Sequence, residues 1–441
     1  MDKSTISVFG LGYIGLPLTA AFAKVGYKVI GVDIDEKKIK SLSDTYCAQI
    51  FEPGLNETLQ ACRNSIKFTT DAKFAIQNSG VLVITVGTPL KDAHTPNFEF
   101  IEAIIRTIGK SLFKGQLVIL KSTVLIGTTE NFVKKNLEEI SGLRAGKDFF
   151  LAFCPERTIE GLALHELYTL PKIVGGINKE STDAAAKVLQ KLGGQIVKVS
   201  SPKIAELCKL VDNLYRAINI SFANEIGMVC EAAGIDAAEV VLAVNTSYKR
   251  TSIFNPGLGA DGPCLSKDPQ IFSYFARQNN FETFLADAAI KENEKSTLRI
   301  ADVVKNFVTE KKLKNPKIAF VGLAFKGFPE TDDQRGSPAI KIHSKLKGEI
   351  GQFEVASFDP IVKKFEGKKT CESISECVRG ANVVLFLTNH PLLSNLDPKI
   401  IINHASKPLL LVDCWHNLKN PKTLLPKESN VSIFRVGDGS K

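Results

Sequence analysis

Apolar positions along the chain form two stretches in which short strand-like runs alternate with helical patterns. In the first stretch, up to about residue 198, continuous apolar runs such as ISVFG and VLVITVG are separated by segments with helical spacing. From about residue 315 the alternation returns, with KIAFVGLAF and NVVLFLTN. Strands that are apolar throughout are buried on both faces, so each stretch predicts a parallel sheet covered by helices.

Between these stretches the strand signal disappears and a long helix is predicted. Ser201 is a suitable N-cap, Pro202 suits the first helical position, and the helical pattern stops at Gly234. A helix of about 30 residues spans roughly 45 Å, long enough to connect two sheet domains. Its wide apolar faces suggest a homodimer built on this region. We therefore expect an α/β fold in three parts, residues 1–200, 201–300 and 315–441.

Composition and charge narrow the class of protein. The chain has 441 residues, 44% of them hydrophobic and 23% charged, which is typical of a soluble globular protein. The net charge of +9 suits anionic small molecules, and no clustered basic and aromatic run indicates nucleic-acid binding. From the pattern of the first residues and the length of the apolar runs, we expect neither a signal peptide nor a membrane span. Nine scattered cysteines without a C-x-x-C pair predict a reducing cytoplasm and no metal site.

A dinucleotide site is predicted near the start of the chain. The run Gly10-Leu11-Gly12-Tyr13-Ile14-Gly15 fits G-x-G-x-x-G, follows a strand and opens a helix. The first glycine permits the tight turn, the second lets backbone approach a pyrophosphate, and the third allows close helix packing. Asp33 ends the next strand. Its carboxylate can accept a hydrogen bond from a ribose 2′-OH and repels a 2′-phosphate, which favours NAD over NADP.

Two further turns fall where ligands bind in open α/β sheets. Gly87 and Thr88 follow one apolar strand, and Ser122 and Thr123 follow another. The carboxyl ends of parallel strands border the ligand crevice, so these residues are candidates for contacting the cofactor. Ordinary turn chemistry explains each pair equally well when it is taken alone.

Seven motifs occur in order along the chain: GLGYIGLP, VGTP, KSTVLIGTT, CPERTIEG, AELCKLVDN, GADGPCLSKDP and GLAFKGFPETDDQRGSPA. Together they resemble the UDP-glucose/GDP-mannose dehydrogenase family. The resemblance implies an NAD-binding Rossmann domain, a central helical dimerisation domain and a Rossmann-like domain that binds a UDP-sugar. It also implies NAD-dependent oxidation of the C6 hydroxyl of a UDP-hexose to a carboxylate.

Cys264 is the nucleophile that this resemblance implies. Its thiolate would capture the aldehyde as a thiohemiacetal, and the second oxidation would give a thioester that water hydrolyses, with two NADH formed. The residues agree, because a Gly/Pro-rich approach exposes the thiol and Lys267 supplies a cation that favours the thiolate. Taken alone, one cysteine among nine is more often a buried core residue.

Other site residues are likewise implied by the resemblance. Lys209 and Asn213 share one helix face, where they would stabilise an oxyanion and hold a water or a substrate hydroxyl; alone, they would suggest a solvated face. Asp268 is expected to partner Lys209 and to assist a bound water. Glu156 is expected to assist thioester hydrolysis or to position the sugar. Thr123 orders the water and, with Lys267, joins the cofactor contacts.

The resemblance also implies a substrate-binding set. Arg250 would reach the substrate of the neighbouring subunit, and Lys326 and Arg335 would grip the pyrophosphate or uridine. The full set is Glu156, Arg157, Lys209, Asn213, Arg250, Phe254, Gly259, Cys264, Lys326 and Arg335.

Two positions bear on substrate and chemistry. Asp261 stands where the family usually has glycine; an inward carboxylate would disfavour the thiolate, so it is expected to face outward or to contact sugar. Arg157 follows Pro-Glu, where family members that act on UDP-N-acetylhexosamines usually carry arginine and UDP-glucose dehydrogenases an apolar residue. The resemblance therefore favours UDP-N-acetylmannosamine or UDP-N-acetylglucosamine over UDP-glucose. Three alternatives stay open: UDP-glucose 6-dehydrogenase, a β-hydroxyacid dehydrogenase, and a non-catalytic nucleotide-binding protein. The second class lacks both the cysteine and a second α/β domain.

Overall fold

An eight-stranded sheet organises the first of two structural units. The computed structural model describes residues 5–91, 95–419 and 430–439. Unit 1 comprises residues 1–212 and 270–282, and unit 2 comprises residues 213–269 and 283–441.

The strands of unit 1 are β1 (Thr5–Phe9), β2 (Lys28–Val32), β3 (Ile66–Thr69), β4 (Val81–Ile84), β5 (Leu90–Lys91), β6 (Thr95–Pro96), β7 (Leu117–Leu120), β8 (Phe150–Phe153), β9 (Lys172–Gly176) and β10 (Ile196–Lys198). Their order across the sheet is β10-β9-β8-β7-β4-β1-β2-β3, and β5 and β6 form a separate hairpin. Neighbours in the sheet are parallel except for β8 and β9. The carboxyl ends of β1, β2, β4, β7 and β8 therefore meet along one edge.

Helices cover both faces of this sheet. They are α1 (Gly15–Lys24), α2 (Glu36–Thr45), α3 (Leu55–Ala61), α4 (Ala72–Gln77), α5 (Glu99–Gly109), α6 (Lys135–Ser141), α7 (Ala163–Thr169) and α8 (Lys179–Gln190), with a π-helical turn at Thr129–Lys134. Alternate residues of β4 belong to different buried clusters: Val81 and Val83 to one, Leu82 and Ile84 to the other. Side chains alternate faces along a strand, so each face has its own core.

The long helix predicted from the central pattern is confirmed. Helix α9 (Pro202–Ala233) has 32 residues, begins after Ser201 and is followed by Gly234 at φ +73°. Beyond it the chain forms α10 (Ala237–Asn245), α11 (Gly262–Leu265), α12 (Asp268–Gln278) and α13 (Phe284–Glu310), without a strand among the described residues of this region.

Unit 2 contains a five-stranded parallel sheet. The strands of the sheet are β11 (Lys317–Val321), β12 (Glu354–Phe358), β15 (Val383–Phe386), β16 (Leu409–Asp413) and β17 (Val431–Arg435). Two short strands, β13 (Lys364–Phe365) and β14 (Lys368–Lys369), form a separate hairpin. The sheet order is β12-β11-β15-β16-β17. The accompanying helices are α14 (Pro338–Glu349), α15 (Ile374–Val378) and α16 (Pro398–Ile402). Two sheets, one mostly and one wholly parallel, with flanking helices confirm the predicted α/β class.

The structure departs from the sequence prediction at the sheet edges. Strands β3 and β17 were not predicted, because IKFT and VSIFR mix polar and apolar residues and lie at exposed edges. The antiparallel pairing of β8 with β9 was also not predicted, since apolar runs alone do not fix strand direction. Among the described residues, no helix is both long and apolar enough to cross a lipid bilayer.

A buried carboxylate joins α9 to the loop that follows β7. Glu206 accepts hydrogen bonds from the backbone N–H groups of Gly127 (2.5 Å) and Thr129 (2.8 Å), and from the Thr129 hydroxyl (2.6 Å). Burial raises the pKa of Glu206 to about 7, despite these donors. The folded state therefore holds a proton on Glu206 more tightly than the unfolded chain does.

This raised pKa predicts a measurable pH dependence of stability. Because folding raises the pKa of Glu206, its protonated carboxyl stabilises the folded state at pH values below the unfolded-state pKa. This stabilisation is lost as the pH rises through the folded-state pKa of about 7. Between roughly pH 5 and pH 8, we expect the free energy of unfolding to fall by up to about 3 kcal/mol less in Glu206→Gln than in the native protein. Thermal unfolding of both proteins across this range measures the effect, and equal pH slopes would contradict it.

Candidate active site

The glycine-rich turn after β1 has the geometry of a phosphate-binding loop. Gly10 has φ +95°, and its N–H donates to the carbonyl of Val32 at 2.8 Å. A side chain at position 15 would place its Cβ 1.7 Å from the Gly10 carbonyl oxygen, so only glycine fits. At Gly12 an added Cβ would meet nothing within 4 Å. The turn is thus closed on the protein side and open where a pyrophosphate would approach.

Asp33 lies at the end of β2 in a set of hydrogen bonds. Its Oδ2 accepts the N–H of Leu11 (2.9 Å) and the ammonium of Lys38 (2.8 Å), and its Oδ1 accepts the N–H of Asp35 (3.1 Å). Burial by itself raises the pKa of Asp33, but these donors outweigh it and the pKa is lowered. The carboxylate is therefore charged at neutral pH, and Oδ1 retains acceptor capacity for a ribose hydroxyl.

Two residues that the sequence prediction missed complete this region. The Thr85 hydroxyl lies 2.9 Å from the carbonyl of Phe9 and 2.8 Å from that of Gly10, which fixes the turn from the neighbouring strand. Ile34 follows Asp33 and is 85% exposed, an apolar surface suited to a flat base. Tyr13 and Ile14 are half-buried at the start of α1.

The loops after β4 and β7 are joined to each other. The Thr88 hydroxyl donates to the carbonyl of Thr123 at 2.7 Å, and the Ser122 hydroxyl donates to the carbonyl of Val86 at 2.7 Å. Gly87 has open space where a Cβ would be. The structure therefore brings the predicted residues Gly87, Thr88 and Thr123 together at the carboxyl edge of the sheet.

Glu156 is held in a buried polar cluster after β8. One oxygen, Oε1, accepts the N–H groups of Arg157 (2.9 Å) and Thr158 (3.1 Å), while Oε2 lies 3.3 Å from the ammonium of Lys121. Lys121 is 95% buried directly after β7 and was not predicted as a site residue, although a lysine ending an apolar strand is a signal. The Lys121 ammonium also donates to the Cys154 sulfur at 3.5 Å.

Arg157 and Lys209 differ in their surroundings. The Arg157 guanidinium forms an ion pair with Asp212 at 2.6 Å and is about one-third exposed. Lys209 lies on α9 and is largely buried. Its position one turn before Asn213 on the same helix agrees with the shared face expected from the sequence.

Cys264 differs from the other cysteines in its exposure. All nine cysteines fall within the described residues, and Cys264 is exposed whereas the other eight are buried or half-buried. It lies in the short helix α11, whose first residue, Gly262, has φ +85° and donates its N–H to the carbonyl of Gly336. A Cβ at Gly262 would lie 2.4 Å from the Phe325 ring, so glycine is required there. An exposed sulfur suits a nucleophile, whereas buried thiols are inert.

A buried hydrogen-bond chain lies within unit 2, close in sequence to this cysteine. The amide nitrogen of Asn213 donates to Asp268 Oδ2, and the amide oxygen accepts from the guanidinium of Arg216. The other oxygen of Asp268 lies 3.2 Å from the Lys267 ammonium. Asn213 and Asp268 are both fully buried. The structure thus unites three predicted residues and adds Arg216, which sequence reasoning missed.

The expectation that the Asp261 side chain faces outward is wrong. It does not face outward, since it is buried and paired with Lys341, and it accepts a hydrogen bond from the Thr297 hydroxyl at 2.6 Å. Burial raises its pKa, and the Lys341 charge opposes that effect. A helix-borne lysine facing the loop explains why the carboxylate turns inward. Contact with sugar stays a prediction.

The remaining predicted substrate residues lie in unit 2. Arg250 stacks on the Tyr248 ring, with 5.7 Å from guanidinium carbon to ring centroid, and Phe254 is 41% exposed. Lys326 donates to the carbonyl of Pro329, and Arg335 forms a forked ion pair with Asp333. Gly259 packs against α13, where an added Cβ would lie 1.8 Å from the Asn293 carbonyl oxygen. Packing alone therefore requires this glycine.

The comparisons with known proteins identify the family. Three models of the UDP-glucose/GDP-mannose dehydrogenase family match in order: the NAD binding domain at residues 4–192, the central domain at 203–295 and the UDP binding domain at 319–420. The chain belongs to this family. It is an NAD-dependent nucleotide-sugar dehydrogenase, and the resemblance seen in its motifs is confirmed.

Named relatives match this dehydrogenase over nearly its whole length. UDP-N-acetyl-D-mannosamine dehydrogenase of Pyrococcus horikoshii is 33% identical over 420 residues, covering 94% of this chain and 96% of its own. The structure of UDP-D-ManNAc dehydrogenase from Pyrococcus horikoshii has a TM-score of 0.88 at 31% identity, covering 99% and 100% of the two chains. A UDP-glucose dehydrogenase from Pyrobaculum islandicum has a TM-score of 0.84 at 27% identity, covering 98% and 97%.

The residues of this dehydrogenase fit its cofactor NAD. Open backbone at Gly12 suits the pyrophosphate, and the charged Asp33 suits a free ribose hydroxyl. A metal has no comparable site in the described part of the chain, where no group of three or more His, Cys, Asp or Glu side chains could hold one.

The pairing of Asp33 with Lys38 predicts how cofactor preference can be changed. Asp33→Ser removes the charge that repels a 2′-phosphate and leaves the Lys38 ammonium available to attract it. We expect the preference for NAD over NADP, measured as the ratio of kcat/KM values, to fall by roughly 100-fold, or about 3 kcal/mol.

A second variant separates the two effects. Asp33→Ser combined with Lys38→Met should lose most of the gain in NADP use, because no cation then faces the added phosphate. Unchanged NADP use in both variants would show that Asp33 does not face the ribose.

Proposed function

We propose that this dehydrogenase oxidises the C6 hydroxyl of UDP-N-acetylmannosamine to a carboxylate, using Cys264 as a covalent catalyst. The observation that carries the proposal is the exposure of Cys264 in a chain whose other cysteines, all within the described residues, are buried or half-buried. The division into residues 1–200 for NAD, 201–300 for the central helices and 315–441 for the UDP-sugar forms part of the proposal.

Cys264 binds the aldehyde that the first oxidation produces, and it is released when the thioester from the second oxidation is hydrolysed. Bound NAD supplies a hydride acceptor for each of them. The thiolate adds to the C6 aldehyde to form a carbon–sulfur bond, and the aldehyde oxygen takes up a proton. The covalent link retains the aldehyde until it is oxidised to a thioester. Water then breaks the carbon–sulfur bond, which releases the sugar carboxylate and restores the cysteine.

Polar residues stabilise the charges that this chemistry creates. Lys209 stabilises the oxyanion that forms at C6, and Glu156 takes the proton of the hydrolytic water, which Thr123 orders. Asp268 is held by Asn213 and Lys267, so its carboxylate is fixed rather than mobile. Asn213 and Asp268 are buried, which suits groups that set the orientation of polar neighbours.

Substrate choice rests on Arg157 and on the named relatives. The relative with 33% identity is named for UDP-N-acetyl-D-mannosamine, and Arg157 presents a partly exposed guanidinium that can hydrogen-bond an acetamido group. UDP-glucose is the second candidate, because a UDP-glucose dehydrogenase has a similar structure.

The C-terminal part supplies the UDP contacts in this proposal. The Arg335 guanidinium pairs with Asp333, and its side chain is 59% exposed, so its planar fork suits a phosphate oxygen. Lys326 adds a second cation, and Phe254 and Gly259 line the loop around the sugar nucleotide.

We further propose a homodimer built on α9. Five apolar side chains along this helix are exposed: Ile204, Val211, Tyr215, Phe222 and Val229. At 100° per residue they fall within about 40° of arc, which makes one continuous stripe along a 32-residue helix. A stripe of this kind is self-complementary, so a second copy of the chain can pack on it about a two-fold axis. Arg250 would then reach the substrate of the neighbouring subunit.

Turnover with a panel of UDP-sugars tests the proposed reaction. We expect two NADH for each UDP-N-acetylmannosamine consumed, and a lower kcat/KM with UDP-N-acetylglucosamine and UDP-glucose. Cys264→Ser should abolish complete oxidation to the acid, because a hydroxyl cannot replace the thioester leaving group. Two NADH per sugar from Cys264→Ser would contradict the covalent route, and no NADH from any UDP-sugar would favour a non-catalytic nucleotide-binding protein.

A charge placed on the α9 stripe tests the homodimer. Phe222→Glu should convert the dimer to a monomer, because the new carboxylate would be buried beside its own copy. Sedimentation equilibrium of the purified protein measures this change. Lys295→Glu, at an exposed polar position of α13, is the matched control and should stay dimeric. A dimeric Phe222→Glu protein would contradict the assignment of the interface.

A further inference from the structure

We propose that Lys121 is a positioning residue that keeps the Glu156 carboxylate charged and directs it toward the hydrolytic water of thioester breakdown. This inference rests on the proposed function, in which Glu156 takes a proton from that water. It adds a residue that the motifs of the chain did not assign to the reaction.

The geometry fixes the carboxylate of Glu156 from two sides. Two backbone N–H groups, from Arg157 and Thr158, bind Oε1, and the Lys121 ammonium lies 3.3 Å from Oε2. Rotation of the carboxylate would break these contacts. Apart from Lys121, no described residue offers Oε2 a hydrogen bond, so the oxygen retains a lone pair for water.

Lys121 is the cation directed at this carboxylate. The Cys154 thiol, also in contact with Lys121, has a pKa raised by burial and stays neutral. Lys172 donates instead to the carbonyls of Gly193 (2.7 Å) and Leu170 (3.3 Å), and its pKa is lowered by burial. The other charged groups near Glu156 have partners of their own: Arg157 pairs with Asp212, and Glu166 accepts the N–H of Ile159.

Charge and burial act on Glu156 in opposite directions. Burial raises the pKa of its carboxyl, while the Lys121 charge and the two backbone donors lower it, and the net result is a lowered pKa. Without Lys121 the burial effect would dominate, and the pKa of Glu156 would rise. A protonated Glu156 cannot accept a proton, so hydrolysis would stop at a pH where the native enzyme works.

Unit 1 has space beside this pair for a water molecule. A cavity there is lined by Lys121, Glu156, Arg157 and Lys172, among others. In the hydrolytic step a water oxygen bonds to the thioester carbonyl carbon, and Glu156 takes the proton. The carbon–sulfur bond then breaks, Cys264 leaves as the thiolate, and Glu156 returns the proton to solvent.

The decisive variant is Lys121→Met in the full-length enzyme, assayed with UDP-N-acetylmannosamine and NAD. We expect the acidic limb of the kcat profile to move up by several pH units, to neutral pH or above, and kcat at neutral pH to fall roughly 10-fold or more as Glu156 becomes protonated. The sugar thioester should accumulate on Cys264, visible as added mass after acid quenching. The KM for NAD should stay within about twofold, and Lys121→Arg should restore most of the rate.

Controls separate this inference from the proposed function. Lys172→Met removes a buried lysine from the same cavity and should shift the acidic limb less than Lys121→Met does. Lys121→Met combined with Glu156→Gln removes both charges and should hydrolyse the thioester no more slowly than Glu156→Gln alone, because the two residues act as one unit.

Two results would overturn the inference. In the first, Glu156→Gln is slow, but Lys121→Met has an unchanged acidic limb and no adduct on Cys264. That result would remove Lys121 from the mechanism and leave the proposed function intact. A Glu156→Gln enzyme that forms acid at the native rate would overturn both this inference and the role of Glu156.

Discussion

In each of the two sheets, a hydrogen bond to an aspartate just after the second strand closes the turn that follows the first strand. Asp33 accepts the N–H of Leu11 at 2.9 Å in unit 1, and Asp359 accepts the N–H of Leu323 at 2.7 Å in unit 2. In each sheet this bond holds the glycine turn against the neighbouring parallel strand. The resulting edge presents backbone and loops to a ligand, which is the arrangement on which nucleotide binding by parallel sheets depends.

The two aspartates differ in their remaining capacity to accept a hydrogen bond from a ligand. Asp33 is half-buried and retains acceptor capacity, whereas Asp359 is 4% exposed and its four hydrogen bonds are all made within the protein. This difference agrees with an NAD binding domain at one end of the chain and a UDP binding domain at the other. Two other buried carboxylates are paired with a lysine, Glu156 with Lys121 and Asp261 with Lys341, since an unpaired buried charge is costly.

Much of the fold could be predicted from the sequence, because buried strands appear there as continuous apolar runs. Helix α9 appears as a long helical pattern with start and stop signals. The glycine turn and Asp33 were equally readable, since their spacing is local. The partners Lys121 and Lys341 were not, because each approaches its carboxylate from a different element. Arg216 lies on the same helix as Asn213, three residues further along, but no motif pointed to it. Asp261 shows the same limit: sequence indicates a carboxylate near Cys264, and only packing against α13 and α14 shows where it points.

The central claim is that sugar oxidation passes through a covalent bond to Cys264. Peptide mapping by mass spectrometry, after rapid acid quenching of the native enzyme during turnover of UDP-N-acetylmannosamine with NAD, tests it most directly. The account predicts a sugar-nucleotide adduct on the peptide that contains Cys264, appearing before the free acid and decaying with it. Acid formation at the full rate with that peptide unmodified at every time point would contradict the account.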